Sequence, residues 1–286
     1  MSYGKRIDWQ RRQKSIKNNP NIQQAKKIVL FDMDGTLTDP RKPFDVRLMP
    51  SLSKITEKAH IGIVTGSDMD YVDQQLKYLL NSELKPYIHI LPCNGTKYYK
   101  PPSSQTAPYE LSDSVNMKDH LGDENFKQIM LSLINQLSVT GLPGISLTGH
   151  FISYRGSMIN FCPIGRNADS KVRKQFSEYD KSTSPTYREI IRKRIIQRFS
   201  VRGVSHLVQV KLGGSTSFDI HPNGWDKTFC LKHFEGVDAW FVGDKCQENG
   251  NDKELYDMLK NKGKSFETKS TENTRLIIEN DIIPKL

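Results

Sequence analysis

Cysteine is scarce: Cys93, Cys162, Cys230 and Cys246 are the only four in 286 residues, widely spaced and with no C-x-x-C pair. That spacing argues against a disulfide framework or a cysteine-built zinc site, and it fits the reduced thiols of a cytoplasmic protein. The seven histidines are equally scattered, and His89, alternating with Ile88 and Ile90, reads as a core residue. No stretch is long and apolar enough to span a bilayer, and no apolar segment of the kind found in secretory signals follows the N-terminus, so no membrane partner is expected. Acidic residues are nearly missing from one end. In residues 1–27 only Asp8 faces Lys5, Arg6, Arg11, Arg12, Lys14, Lys17, Lys26 and Lys27, so this tail carries +7 of the net +10 and leaves +3 for the rest. The tail reads as a solvated, partly helical arm, and the body is too weakly basic for nucleic acid to be an expected partner.

What the sequence does contain is organised around one stretch. The apolar run Ile28-Val29-Leu30-Phe31 stops at Asp32-Met33-Asp34-Gly35-Thr36-Leu37-Thr38. A short apolar run closed by a turn signal reads as a buried parallel strand, and ligands of open α/β sheets sit at the carboxyl ends of such strands. Two carboxylates one residue apart invite a hard cation such as Mg²⁺; one could then attack phosphorus while the other handles a proton. A calcium loop is excluded by spacing, because the position of its bidentate glutamate is Pro43.

The pattern recurs. Helical spacing over Met49–His60 leads into Ile61-Gly62-Ile63-Val64, which ends in Thr65-Gly66-Ser67; a helix is expected over Met69–Leu80, capped by Asp68 or Ser67. A third strand, Tyr87–Leu91, follows. This alternation predicts a doubly wound parallel sheet. Residues 100–109, rich in proline and serine, read as a linker. Beyond it come a helix over Glu124–Leu137, strands over His150–Arg155, Ser157–Phe161, Leu207–Leu212 and Ser217–Ile220, and a helix over Pro185–Phe199. In that last helix Ile190, Ile191, Ile195 and Ile196 should face in, and Arg188, Arg192, Lys193 and Arg194 out. Near the end Ala239-Trp240-Phe241-Val242 runs into Gly243-Asp244, then Asn251-Asp252 and a helix over Lys253–Leu259. The expected fold class is α/β: a parallel-sheet core (28–100 and 223–286) with an inserted α+β domain carrying an antiparallel sheet (101–222), preceded by the basic tail (1–27).

Asp32/Asp34, Thr65-Gly66-Ser67, Lys227 and Asp244 with Asn251-Asp252 together resemble the haloacid-dehalogenase superfamily of phosphotransferases. Within the insert, Arg155 through Pro163-Ile164-Gly165-Arg166, then Arg173, Gly213-Gly214-Ser215-Thr216-Ser217-Phe218-Asp219 and Gly224-Trp225-Asp226-Lys227 resemble the cap of eukaryotic-type phosphomannomutases. The chain departs from that pattern at Ser157, one place from where the family shows Asn-Gly.

The resemblance implies Asp32 as nucleophile and Asp34 as general acid/base. It implies Thr65 or Ser67 as phosphoryl contacts, Lys227 as charge partner, and a magnesium site of Asp32, the Asp34 backbone carbonyl and Asp244. Asp252 is either a further metal ligand or a helix cap. The resemblance also implies Arg166 and Arg173 as a clamp on the distal phosphate, with Arg155 and Arg41 as further cationic contacts, Ser217 at that phosphate and Asp219 on sugar hydroxyls. Arginine suits such a multidentate grip. Mg²⁺ as cofactor, a hexose 1,6-bisphosphate activator, a hexose phosphate substrate and a homodimer joined through the cap are implied as well. The alternative is a magnesium-dependent sugar-phosphate phosphatase.

Overall fold

A computed structural model describes residues 26–39 and 42–286. Arg41 and most of the basic tail lie outside the described residues.

The large sheet contains β1 (Lys27–Phe31), β2 (His60–Val64), β3 (Ile88–Leu91), β4 (Lys97–Lys100) and β5 (Glu110–Ser114). The small sheet contains β6 (Ile152–Tyr154), β7 (Ile159–Phe161), β8 (Val208–Gly213) and β9 (Ser217–Pro222). The chain then returns to the large sheet through β10 (Asp238–Gly243) and β11 (Ser265–Glu267). Strand order is β11-β10-β1-β2-β3-β4-β5 in one sheet and β6-β7-β9-β8 in the other. From β11 to β3 every pairing is parallel; β4, β5 and the whole small sheet pair antiparallel.

β1 is central because its side chains serve both faces. Val29 and Phe31 join Ile61 and Ile63 under the helices Met49–Thr56 and Met69–Leu76, whereas Ile28 and Leu30 join Phe241, Leu255 and Leu259 on the opposite face. In the small sheet only one face is apolar. Ile159, Phe161, Phe218 and Ile220 pack on Ile129, Leu133, Ile191, Ile195 and Phe199 of the helices Asp123–Ser138 and Tyr187–Val201. The alternation sends Asn160, Ser217 and Asp219 to the other face.

Several expectations change. The helix Met49–Thr56 stops short so that His60 can open β2, and Met69–Leu76 ends in a separate 3-10 turn at Leu79–Asn81. An insert opening at residue 101 would exclude β5, yet β5 pairs with β4, so the chain leaves the large sheet only after Ser114. β4, β5 and β11, and the helices Ser170–Lys181 and Thr271–Ile277, have no counterpart among the expected elements. Arg188 is not a solvated cation: its Nε donates to Asp180 Oδ2 at 2.9 Å, and Asp180 is buried. Gly156, at φ +85°, makes the turn where the sequence departs at Ser157, and the Ser157 hydroxyl lies 2.5 Å from that of Thr96.

His89 is a core residue, buried and linked at 2.9 Å both to His60 and to the Tyr98 hydroxyl. Burial holds its imidazole well below the ordinary value, with His60 and His233 adding to the effect; burial also lowers His60, His221 and His233. Each group is depressed in the fold, so the unfolded chain binds more protons once pH drops below about 6.5, and stability falls with pH there. Between pH 7.5 and 5.5 these histidines should withdraw about 2–4 kcal/mol of stability, at about 1.4 kcal/mol per neutral-held histidine per pH unit. Because carboxyls held above their ordinary range act in the opposite direction, the contribution is read from His89→Gln and His233→Gln, whose urea midpoints should fall less than the parent's, or rise more, between the two pH values; a pH dependence identical to the parent's would contradict it.

Candidate active site

The order β10-β1-β2 sets three parallel strand ends side by side. Asp32 follows β1, with its backbone N–H bonded to Val242 of β10 at 2.9 Å. Asp244 follows β10, and Thr65 follows β2. The Met33 carbonyl accepts from the amides of Leu37 and Thr38, curling the loop after Asp32 into a tight turn.

Within that corner, carboxylate oxygens of Asp32, Asp244 and Asp252 lie within 4.8 Å of one another. Lys227 reaches them from below: its Nζ donates to Asp32 Oδ1 and, at 2.5 Å, to Asp252 Oδ1. Lys227 and Asp252 are 0% exposed and Asp32 is 4% exposed. Asp252 Oδ2 accepts from the Lys245 amide at 2.9 Å. No side-chain bond joins Asp252 to the helix Lys253–Lys260 that it precedes, which excludes the capping alternative.

The charge balance is telling. Three carboxylates face two ammonium groups, Lys227 and Lys245, the latter 3.6 Å from Asp244. Burial pushes the Asp32 carboxyl up to about 8; Lys227 opposes the shift, while Asp252 and Asp244 add to it. Burial likewise raises Asp244. For Lys227 burial acts downward, but Asp252 and Asp32 outweigh it and keep the ammonium protonated. Asp244 Oδ1 is buried without a hydrogen-bond partner. Crowded oxygen donors, excess negative charge and an orphaned carboxylate oxygen together fit a hard divalent cation.

Gly35 makes room for this arrangement. It sits at φ +92°, and a Cβ there would lie 2.3 Å from Asp244 Oδ2. Gly35→Ala is therefore expected to displace Asp244, costing about 1–3 kcal/mol in strain and weakening divalent-cation binding. Calorimetric titration with Mg²⁺ checks this; an unaltered affinity would show that Asp244 is not held by this contact.

Asp34 stands apart from the three-carboxylate cluster. Its Oδ1 accepts from the Tyr71 hydroxyl at 3.1 Å, so its side chain faces the helix Met69–Leu76. Thr65 Oγ1 accepts from the Ser67 amide at 3.1 Å, shaping the loop after β2. Asp68 caps the following helix, accepting from the Tyr71 amide at 3.3 Å.

Beside the small sheet, Arg166, in the loop after β7, is linked to Arg173, on the helix Ser170–Lys181. Arg173 donates to the Thr216 hydroxyl at 2.7 Å and to the Arg166 carbonyl at 3.0 Å; Arg166 donates to Asn160 Oδ1 at 3.1 Å. Asn160 in turn donates to Asp219 Oδ1 at 2.7 Å. The Ser217 hydroxyl donates to the Gly213 carbonyl at 2.9 Å. Asp219 also approaches the large sheet: a Cβ on Gly66 would lie 3.2 Å from its Oδ2. Arg155 lies apart from these two arginines. Buried, it donates to the Gly66 carbonyl and lies 3.8 Å from Asp68.

A sequence model described as "PMM: Eukaryotic phosphomannomutase" matches residues 48–283. Phosphomannomutases of Encephalitozoon cuniculi and Arabidopsis thaliana are 35% and 33% identical, over 81% and 83% of this chain and 84% and 90% of their own. The chain belongs to the eukaryotic phosphomannomutase family. The family match begins beyond Asp32 and Asp34, so that acid pair rests on its own geometry. Among solved structures, IMP-bound, N-terminally truncated IMP-nucleotidase of Plasmodium falciparum superposes with a TM-score of 0.59 at 15% identity, over 93% of this chain and 71% of that one. That likeness is one of fold alone.

Sequence reasoning assigned no part to Asn160, Thr216, Lys245 or Tyr71. The first two lie inside the motifs that marked the family, and Lys245 directly follows Asp244, so a signal existed for these three. Tyr71 had none, because its approach to Asp34 depends on how the helix Met69–Leu76 packs.

Proposed function

We propose that this chain is a magnesium-dependent phosphomannomutase interconverting mannose 6-phosphate and mannose 1-phosphate. The observation that carries this reading is an acidic cluster at one sheet edge together with Arg166 and Arg173, linked to each other and to Asn160 and Thr216 beside a second sheet. Family membership supports it. Mg²⁺, held by Asp32, Asp244, Asp252 and the Asp34 carbonyl, would supply charge neutralisation for the phosphoryl oxygens.

This chain's own residues then divide the work. A carboxylate oxygen of Asp32 attacks the phosphorus of a hexose 1,6-bisphosphate, and the bond to the sugar oxygen breaks. Asp34, positioned by Tyr71, gives that oxygen its proton. Lys227 keeps its charge beside Asp32 throughout, and the Thr65 and Ser67 hydroxyls contact the phosphoryl group. Arg166 and Arg173 grip the other phosphate with help from Ser217, while Asp219 takes sugar hydroxyls. The monophosphate can then turn and be phosphorylated at its other end. Arg155 serves the seam between the sheets, because its guanidinium already holds Gly66; a phosphate contact would require exchanging that bond. Residues 28–114 and 223–286 would form the core and the segment between them the cap, through which two copies would pair in the cytoplasm. The four free, buried cysteines fit a reducing compartment.

A coupled assay of mannose 1-phosphate isomerisation, with and without glucose 1,6-bisphosphate, tests the reading. Bisphosphate-dependent formation of mannose 6-phosphate is expected. Free phosphate release without isomerisation would favour the phosphatase, in which water accepts the phosphoryl group.

A further inference from the structure

Besides Arg155–Asp68, a second ion pair leaves the small sheet, joining it to the helix Lys253–Lys260, and takes no part in the chemistry above. Lys211 on β8 is paired directly opposite Asp219 on β9, so both side chains leave the polar face of the small sheet. Its Nζ donates to Glu254 Oε1. Glu254 lies in the first turn of the helix Lys253–Lys260, two residues beyond Asp252. The paired side chains are 18% and 28% exposed, less open than an ordinary surface pair. Glu254 Oε2 is buried without a hydrogen-bond partner, so the bond from Lys211 to Oε1 is the one that compensates this carboxylate most directly. One end of the bridge therefore stands beside the sugar-facing aspartate, the other beside the acidic cluster.

We propose that Lys211 and Glu254 form a latch that holds the cap shut and thereby decides which acceptor takes the phosphoryl group. Lys211 is a positioning residue; it acts through Asp219. The inference rests on the phosphotransfer reading of the same site. Once Asp32 is phosphorylated, two oxygens compete for the phosphorus. Attack by a sugar hydroxyl breaks the Asp32–phosphorus bond, forms a sugar phosphate and passes the proton to Asp34. Attack by water breaks the same bond and releases inorganic phosphate, with the proton going to the same carboxylate. Closure keeps Asp219 over Gly66 and leaves water little access; opening favours hydrolysis.

Lys211→Ala and Glu254→Gln should each raise the ratio of phosphate released to isomer formed by about fivefold, the effect of losing one partly screened ion pair. The charge-swapped double variant Lys211→Glu/Glu254→Lys should bring the ratio back toward that of the parent. In parallel, amide hydrogen exchange over residues 64–68, where Arg155 and Asp219 meet the loop after β2, should quicken in Lys211→Ala. The parent protein at 1 M salt should approach the variant's exchange rate. Unchanged exchange in the variant overturns the latch, and faster exchange with an unchanged product ratio overturns its control of the acceptor. If the parent released phosphate only, the mutase reading would fall, while the exchange measurement would still decide whether the bridge holds the cap.

Discussion

An Asp32→Asn variant is expected to lose isomerisation by about 10⁴-fold or more, as removal of a covalent nucleophile does, while folding normally. The fold should survive because the substitution relieves crowding. Three carboxylates facing Lys227 and Lys245 become two, and Lys227 keeps its 2.5 Å bond to Asp252. Without added metal, the melting temperature should hold or rise. A second measurement isolates the chemistry. Brief incubation with a ³²P-labelled hexose 1,6-bisphosphate should leave hydroxylamine-labile label on the parent and none on Asp32→Asn. Full activity in the variant, or label retained by it, would remove Asp32 from its assigned place.

Lys227→Met should have the largest effect on stability. The lysine ammonium is the shared partner of two buried carboxylates, and methionine fills the space without supplying a charge. Removing one member of a buried ionic network costs about 3–5 kcal/mol, because Asp32 and Asp252 must then either stay charged without a partner or take up protons. The Asp32 carboxyl of the variant should therefore titrate higher still. Urea unfolding should show a lower midpoint with an unchanged slope, and millimolar Mg²⁺ should recover part of the loss by binding the folded state alone. A midpoint equal to that of the parent would mean that Lys227 is replaceable by packing. Activity should vanish in either case, since Asp32 loses the cation that holds it in place.

Much of the acidic corner was legible because a parallel strand announces itself locally. Ile28–Phe31, Ile61–Val64 and Ala239–Val242 are apolar runs that stop at carboxylates, hydroxyls or glycine, and adjacent parallel strands put all such endings on one edge. The antiparallel edge was harder to read. Lys97–Lys100 and Glu110–Ser114 are short and polar, with β5 largely exposed, so they lack the apolar signal that marks a strand and join the sheet through backbone bonds to a neighbour already in place. The helix Ser170–Lys181 escaped for a related reason: Phe176 and Asp180 are its only buried residues, too few to set a period.

The arginines divide along the same line. Arg166 and Arg173 are held largely by their own segment and by Thr216, inside motifs that could be read directly. Arg155 was grouped with them by residue type, yet it spans to the loop after β2, a contact 89 residues away along the chain.

By itself the sequence determined the kind of chemistry and the family, because residue types, their order and their position at strand ends are local properties. Tertiary structure alone decided which groups face one another: that Asp252 joins Asp32 on one lysine, that Asp34 turns to Tyr71, and that Lys211 bridges to Glu254. The reason is physical. Such pairings follow from the packing of distant segments, where a rotation of one helix or a shift of one strand changes the partner without altering a single local pattern.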